Sequence, residues 1–402
     1  MKILHTSDWH IGHTLYTKKR YDEHEKFLTW LKDTILSRGI DALVVSGDVF
    51  DTGAPGGQAQ RLYYDFLTSL LGTCCRTVVV VAGNHDSPAM LEAPAGVLEK
   101  LHIHAIGLPG ELERHVIPLR DAAGEICAVC CAVPYLRKNE MVRLEDEAQS
   151  TDERIAAATA QFYLEVTNAA LAYRKERGAE LPIIATGHLF AQGAMRSEGD
   201  GVRELYVGTL GQVGAEIFPE EIDYVALGHI HGAQRVGKQE RIRYCGSPLS
   251  MSFSELGHEK CVLEVSLGDG LKIEEISVPV FQRMAAVRGN REEIIEQLQK
   301  LAQEDVWVEV TYSGGAACPH LSADVAETVR GGCAEVLSIR NTAAAGAMLE
   351  STDESETLES LSVQDVFLRC IGKDAYSEED TSALVECFNE IIREMEEADT
   401  CA

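Results

Sequence analysis

No apolar run in this chain approaches the roughly 18 residues that a bilayer-spanning helix needs, and the opening MKILHTSDWH holds no apolar stretch of signal-peptide length. Both absences lead to the expectation of a soluble, cytoplasmic protein with no membrane partner. Aromatic side chains are scarce, with 3 Trp, 12 Tyr and 10 Phe in 402 residues, whereas glycine occurs 34 times. That balance suits an α/β protein with many sharp loops. A length of 402 residues allows two or three domains, and a 45% hydrophobic content fills a substantial core. Positive charge is short: 36 Lys and Arg stand against 64 Asp and Glu, a formal net charge of −28. A free-standing nucleic-acid binder normally draws its phosphate contacts from Lys and Arg, so this balance argues against one. Twelve cysteines are present, but the chain is far too long for a disulfide-stapled mini-domain. Cys127 and Cys130 form a CxxC inside the apolar EICAVCCAVPY, with no second CxxC at zinc-ribbon spacing. These thiols read as small buried hydrophobes in a strand.

The first half alternates apolar strand-like runs with helical patterns, the mark of a sheet layered with helices. Expected strands are Lys2–Thr6, Ala42–Ser46, Thr77–Ala82, Ile126–Val133, Pro182–Thr186 and Tyr224–Leu227. Phe27, Leu28, Leu31 and Ile35 fall at helical spacing within Arg20–Ser37, and Thr151–Arg177 reads as a second long helix. After His231, short alternating runs at Arg241–Tyr244, Lys260–Leu267 and Ile273–Val280 predict an antiparallel second sheet. A boundary falls near Pro279–Gln282. Beyond it, Met284–Val287, Arg291–Ala302, Val306–Tyr312, a further helix and Glu335–Ile339 read as a βαβαβ module. Asn341–Glu359, poor in large apolar residues, reads as a linker. Two acidic helices, Val363–Ile371 and Ser377–Glu397, close the chain. In the second, Leu384, Cys387, Phe388, Ile391 and Met395 share one face.

Five polar clusters each directly follow an apolar run: Asp8-Trp9-His10, Gly47-Asp48-Val49-Phe50-Asp51, Gly83-Asn84-His85-Asp86, Gly187-His188 and Gly228-His229-Ile230-His231. Open α/β sheets gather their sites at the carboxyl ends of strands, so this order predicts that all five meet at one edge of the sheet. Residues i and i+2 of an extended segment share a face, which aligns Asp8 with His10 and His229 with His231. A glycine before four of the clusters lets the chain turn sharply. Carboxylate, imidazole and amide oxygen suit borderline-hard divalent ions such as Mn²⁺, and the lack of cysteine disfavours structural zinc. A lone histidine at a strand end is usually structural, and a lone Gly-Asp or Gly-Asn is usually a turn. All five together, in order and each after a strand, favour a metal site that hydrolyses phosphoesters.

The D-x-H, GD-x-x-D, GNHD, GH and GH-x-H series resembles the calcineurin-like metallophosphoesterase superfamily. More narrowly, HTSDWHIGHTL, LVVSGDVFDTGAP and VVAGNHDSP resemble the SbcD family of nuclease subunits, bacterial relatives of the Mre-eleven double-strand-break repair nuclease. The likeness spans roughly residues 1–280 and extends more loosely to the rest. It implies a β-sandwich flanked by helices over 1–280, a small α/β capping, DNA-binding domain over 281–342, a linker over 343–359 and partner-binding helices over 360–402. It also implies two divalent ions, Mn²⁺ or alternatively Mg²⁺: one held by Asp8, His10, Asp48 and His231, the second by Asp48, Asn84, His188 and His229, with Asp48 as bridge. His85 then lies over the phosphate as general acid or transition-state stabiliser, a task that suits an imidazole, and Asp86 is available to orient it.

Some relatives carry a second active-site histidine three residues after the bridging aspartate; Asp51 stands there in this chain, and His13 reads as a surface residue. The implied activity is exo- and endonucleolytic cleavage of DNA at double-strand ends, hairpins and single strands, in repair and recombination. The implied partner is the SbcC-type SMC-like ATPase, whose coiled-coil roots take up the C-terminal helices, around a homodimer of this chain formed through helices in the first 100 residues, within a heterotetramer. Such a partner reconciles the acidic charge with DNA. Arg137, Lys138, Arg143, Arg196 and Arg203 are the cations placed to face a substrate. The ligands alone leave a phosphatase or cyclic-nucleotide phosphodiesterase open, and the C-terminal helices have folding back on their own domain as the alternative.

Overall fold

The computed structural model describes residues 1–137, 151–178, 180–191, 213–268, 270–314 and 318–341, together with Leu384, Val385 and Phe388. It contains two compact units, Met1–Phe281 and Gln282–Ala402. No described helix is long and apolar enough to cross a membrane. The expected linker over 343–359, the expected helices Val363–Ile371 and Ser377–Glu397 (apart from those three residues), and Lys138, Arg143, Arg196 and Arg203 lie outside the described residues.

In the first unit, side-chain alternation along each strand separates three apolar layers. One six-stranded sheet runs in the order Lys272–Ser277, Cys261–Ser266, Lys2–Thr6, Ala42–Ser46, Thr77–Val81, Ile103–Ile106. The last four strands are parallel; Cys261–Ser266 joins Lys2–Thr6 antiparallel. A second sheet of six runs Gln234–Val236, Gln239–Tyr244, Tyr224–Gly228, Ile183–His188, Ile126–Cys131, Val116–Arg120, parallel through its four central strands. Ala42, Val44, Val79 and Val81 of the first sheet share a core with Ala128, Cys130, Ile184, Tyr224 and Ala226 of the second, so the sheets pack face to face. The alternate residues of the first sheet, including Leu43, Val45, Val78 and Val80, pack against the helix Tyr21–Arg38 through Phe27, Leu31 and Ile35. Those of the second, including Val129, Ile183, Ala185 and Val225, pack against Thr151–Glu176 through Tyr163, Val166 and Ala170. Burying each such large aliphatic side chain contributes about 1.5–3 kcal/mol. This is the helix-flanked β-sandwich that the resemblance implies.

Two sequence expectations are corrected. The runs after His231 do not build a separate antiparallel sheet. Gln239–Tyr244 extends the second sheet parallel to Tyr224–Gly228, while Cys261–Ser266 and Lys272–Ser277 extend the first. The six early strands do not share a sheet either, because three belong to each layer. Strands buried on both faces are apolar at nearly every position (Ala42–Ser46 and Thr77–Val81 are buried along their whole length), so they carry no alternation that assigns them to a layer.

The second unit holds a parallel three-stranded sheet, Arg283–Gly289, Val306–Tyr312 and Glu335–Asn341, with helices Arg291–Leu301 and Leu321–Val329 in its crossovers. Asn290 and Glu293 cap the first helix reciprocally: Glu293 N donates to Asn290 Oδ1 at 3.0 Å, and Asn290 N donates to Glu293 Oε2 at 2.9 Å. Val287, Ile294, Leu298, Val308, Val310 and Val325 form its core.

Candidate metal centre

All five polar clusters sit at the carboxyl ends of parallel strands, three from the first sheet and two from the second. The groups therefore converge across the sandwich and not along a single edge. Ser46 Oγ donates to Ala226 O at 2.9 Å, tying the sheets together directly behind the site. The loops after Lys2–Thr6 and Ala42–Ser46 zip to one another: Asp8 N donates to Gly47 O at 3.0 Å, His10 N to Asp48 O at 3.0 Å and Ile11 N to Val49 O at 2.9 Å.

These contacts hold an unfavourable backbone. Asp8 (φ 53°), His10 (φ 46°), Asp48 (φ 50°) and His229 (φ 98°) are four of the seven non-glycine residues with positive φ among the described residues. Each such conformation costs about 1–3 kcal/mol and persists only where surrounding structure imposes it. The extended-strand argument for pairing Asp8 with His10 is thus corrected: both residues lie in the left-handed region, and that bend is what aims them inward. The glycines also act by other means than turning. Gly47 has φ +91°, and a Cβ on it would stand 2.3 Å from His188 Nδ1. Gly83 has no such φ; a Cβ there would meet Asp48 Oδ1 at 2.1 Å, so its role is to admit the neighbouring carboxylate.

Asp48 stands between two groups. Its Oδ1 accepts the backbone N–H of His85 at 2.9 Å, while Oδ2 lies 3.6 Å from His10 Nε2 and 3.3 Å from His188 Nε2. On one side, the Nε2 atoms of His10 and His231 are 3.3 Å apart, and ligand atoms of Asp8, His10 and His231 all fall within 4.8 Å of each other. On the other, Asn84 Oδ1 lies 2.9 Å from His188 Nε2 and 3.0 Å from His229 Nδ1. Asp8, His10, Asp48, His188 and His231 are buried, whereas Asn84, His85 and His229 are half-buried and form the open side.

The donor set fits divalent cations on physical grounds. His231 directs Nδ1 to Glu255 Oε1 at 3.2 Å, and His10 Nδ1 lies 3.4 Å from Asp51 Oδ1. With its Nδ1 toward a carboxylate, His231 turns an Nε2 lone pair to His10 Nε2, 3.3 Å away, an arrangement that a cation between the rings would stabilise. Buried charge points the same way. Burial opposes an imidazolium at His188, yet the carboxylates of Asp48 and Asp8 outweigh it and raise its pKa to about 9. A cation placed among these groups would answer the same demand of the buried carboxylates for positive charge.

The surrounding hydrogen bonds fix each imidazole. His188 Nδ1 donates to Ser46 O at 2.9 Å, leaving Nε2 toward Asp48 and Asn84. His85 Nδ1 donates to the Asp51 carbonyl at 2.8 Å, and its ring meets that of His10 edge-on at 4.9 Å. Ser7 Oγ donates to Asp8 Oδ2 at 2.5 Å, and His229 N donates to Asp8 Oδ1 at 3.0 Å.

Asp86 does not orient His85. Its carboxylate accepts backbone N–H groups from Gly83 (2.8 Å), Phe50 (2.9 Å) and Val49 (3.1 Å), stapling two ligand loops together. Burial and the nearby Asp48 charge push its carboxyl up to about 6, and those three amides hold it back. His13 is not free on the surface: Nδ1 lies 3.0 Å from Asp51 Oδ1 and Nε2 is 3.2 Å from Met251 O. Burial resists ionisation of Asp51, but hydrogen bonds from His10 and His13 draw its carboxyl well below the usual range. Arg137 is also half-buried, donating through Nη2 to Asp86 O at 2.9 Å with its guanidinium 5.7 Å from the Tyr135 ring centre. Sequence reading missed Glu255 altogether. Buried in a 3₁₀ turn, it is pulled down to about 2 by His231 and Lys260 against the effect of burial. Its link to His231 spans 24 residues, and no periodic signal marks it.

A family model described as calcineurin-like phosphoesterase matches residues 1–233, and one described as type 5 capsule protein repressor C-terminal domain matches residues 280–374. The D subunit of nuclease SbcCD from Escherichia coli strain K12 is 36% identical over 396 residues, covering 96% of this chain and 97% of its own. The like-named protein of Rhodobacter capsulatus is 38% identical over 317 residues (76% and 77%), and that of Bacillus subtilis 35% over 274 residues (67% of each).

Proposed function

This chain belongs to the calcineurin-like phosphoesterases and, within them, to the SbcD nuclease subunits, and we propose that it hydrolyses DNA phosphodiester bonds at a centre of two divalent ions held by the seven residues described above. Manganese is the ion that this set of imidazole, carboxylate and amide oxygen donors favours, with magnesium second. The observation that carries the reading is the position of Asp48 Oδ2, 3.6 Å from His10 Nε2 and 3.3 Å from His188 Nε2, from where it would reach cations in both halves. Bound there, divalent cations neutralise phosphate charge and lower the pKa of a water nucleophile.

The side chains supply the rest. Asp8, His10, Asp48 and His231 form one half; Asp48, Asn84, His188 and His229 form the other. His85 contributes an imidazole whose orientation is set by the Asp51 carbonyl; with Nδ1 engaged, Nε2 is the atom that contacts the phosphoryl group or gives a proton to the leaving oxygen. Asp86 keeps the loops of Asp48 and Asn84 in register, and so supports catalysis through position.

The substrate is DNA ends, hairpins and single strands, cut both exo- and endonucleolytically in repair and recombination. The name that the relatives carry, SbcCD, denotes an assembly in which they are one component, and the partner proposed for this chain is an SMC-like ATPase of the SbcC type. It binds residues 360–402 and provides the cationic surface that a chain of net charge −28 lacks. Two copies of this chain within a heterotetramer complete the proposed assembly. Incubation with Mn²⁺ and three substrates tests the reading: linear duplex DNA, a DNA hairpin and a phosphopeptide. Cleavage of both DNAs with the phosphopeptide intact supports it; hydrolysis of the phosphopeptide alone replaces it with a phosphatase.

A further inference from the structure

Behind the candidate ligand His231 lies a polar knot that the proposed reaction does not use. Glu255 is buried and Lys260 nearly so, and their ion pair closes at 2.5 Å between Oε2 and Nζ. The other oxygen, Oε1, faces His231 Nδ1 at 3.2 Å. Lys260 Nζ donates as well to the backbone carbonyl of His231 at 3.2 Å and to Ser247 Oγ at 2.9 Å. Met251 N donates to Glu255 Oε2 at 3.1 Å, and Ser247 N to His231 O at 3.2 Å. The pair therefore grips one residue twice, its ring through the carboxylate and its main chain through the ammonium.

The backbone around it leaves little room to rearrange. Gly246 has φ +77°, and a Cβ on it would meet His231 O at 2.6 Å. An ion pair removed from water is weak support for stability, since desolvation offsets much of the attraction. Its geometric consequence is larger. A carboxylate on Nδ1 selects the tautomer whose Nε2 carries the lone pair, and His231 Nε2 is the atom that faces His10 Nε2 at 3.3 Å.

We propose that Glu255 and Lys260 act as a positioning pair that sets the tautomer and aim of His231, and through it the affinity of one cation site only, the half built by Asp8, His10 and His231. The inference rests on the two-ion reading given above. It separates the halves by what the rings meet: His188 Nδ1 is held by a main-chain carbonyl, Ser46 O, whereas His231 Nδ1 faces a side-chain carboxylate, Glu255 Oε1.

Titration calorimetry of Mn²⁺ into the metal-free full-length protein tests this without relying on turnover. Wild type should bind two ions. Glu255→Gln should bind one as wild type does and the other about 10- to 100-fold more weakly. Lys260→Met should weaken the same ion in the same direction. Cleavage by either variant should need correspondingly more Mn²⁺, with turnover restored toward wild type at saturation. A purely structural role would lower the unfolding temperature and leave the two affinities as they were, and that result overturns the proposal. So does equal weakening of both ions. Should Glu255→Gln fail to fold, Lys260→Met carries the same two outcomes. A wild type that binds fewer than two ions refutes the underlying two-ion reading instead, so the two failures are distinguishable.

Discussion

His85→Ala removes an imidazole held by the Asp51 carbonyl and leaves every proposed ligand in place. Turnover should fall by about 10²–10⁴-fold while Mn²⁺ affinity stays at the wild-type value. Loss of metal in that variant would move His85 into the coordination sphere. The neighbouring Asp86→Ala should behave differently, because it strands three buried N–H groups on Gly83, Val49 and Phe50. Each stranded donor costs about 1–3 kcal/mol, so thermal unfolding of the metal-free protein should shift down markedly. An unchanged melting temperature would refute the staple. At this scale the sequence showed the proposed ligands because each sits in a short polar cluster after an apolar run. The supports of those ligands were not legible. Asp51 was visible in its cluster but not as the partner of His10 and His13, and Glu255 gave no signal, because what each does depends on contacts between separate loops.

Between the elements, His5 of the first sheet and Tyr224 of the second meet inside the sandwich, His5 Nδ1 lying 2.8 Å from Tyr224 Oη. Burial lowers the His5 pKa to about 3, against a backbone hydrogen bond to Leu227 that raises it. The unfolded chain, with an ordinary histidine pKa near 6.5, binds the proton more readily. Stability is therefore fully present above pH 6.5 and is lost as pH falls toward 3. Between pH 6.5 and 5 the His5 contribution amounts to about 2 kcal/mol. Denaturant unfolding at pH 7 and pH 5 should show a smaller acid loss for His5→Gln than for wild type by about that amount; equal losses would contradict it. Strand positions were legible from apolar runs, and the helix Tyr21–Arg38 from the spacing of Phe27, Leu31 and Ile35. Which sheet each strand joins was not, since Ala42–Ser46 and Tyr224–Gly228 are both buried along their whole length. The left-handed bends at Asp8, His10 and Asp48 were hidden for a related reason: cross-loop hydrogen bonds impose them against local preference.

Over the whole molecule, the proposed function divides the work between this acidic chain and a partner. A net charge of −28 repels a polyanion, so under the proposed function DNA affinity is expected to come from cations at the site and from the proposed ATPase. A chain ending at residue 357 should keep Mn²⁺-dependent cleavage of single-stranded DNA and lose ATPase binding, measured by co-purification; undiminished binding would place the contact elsewhere. The central claim is that one carboxylate joins two cation sites. Equilibrium titration of Mn²⁺ into metal-free wild type and Asp48→Ala, each with its folded state verified by circular dichroism, tests it most directly. Two ions in wild type and none bound tightly in Asp48→Ala is the predicted result; two ions retained by Asp48→Ala would contradict the account.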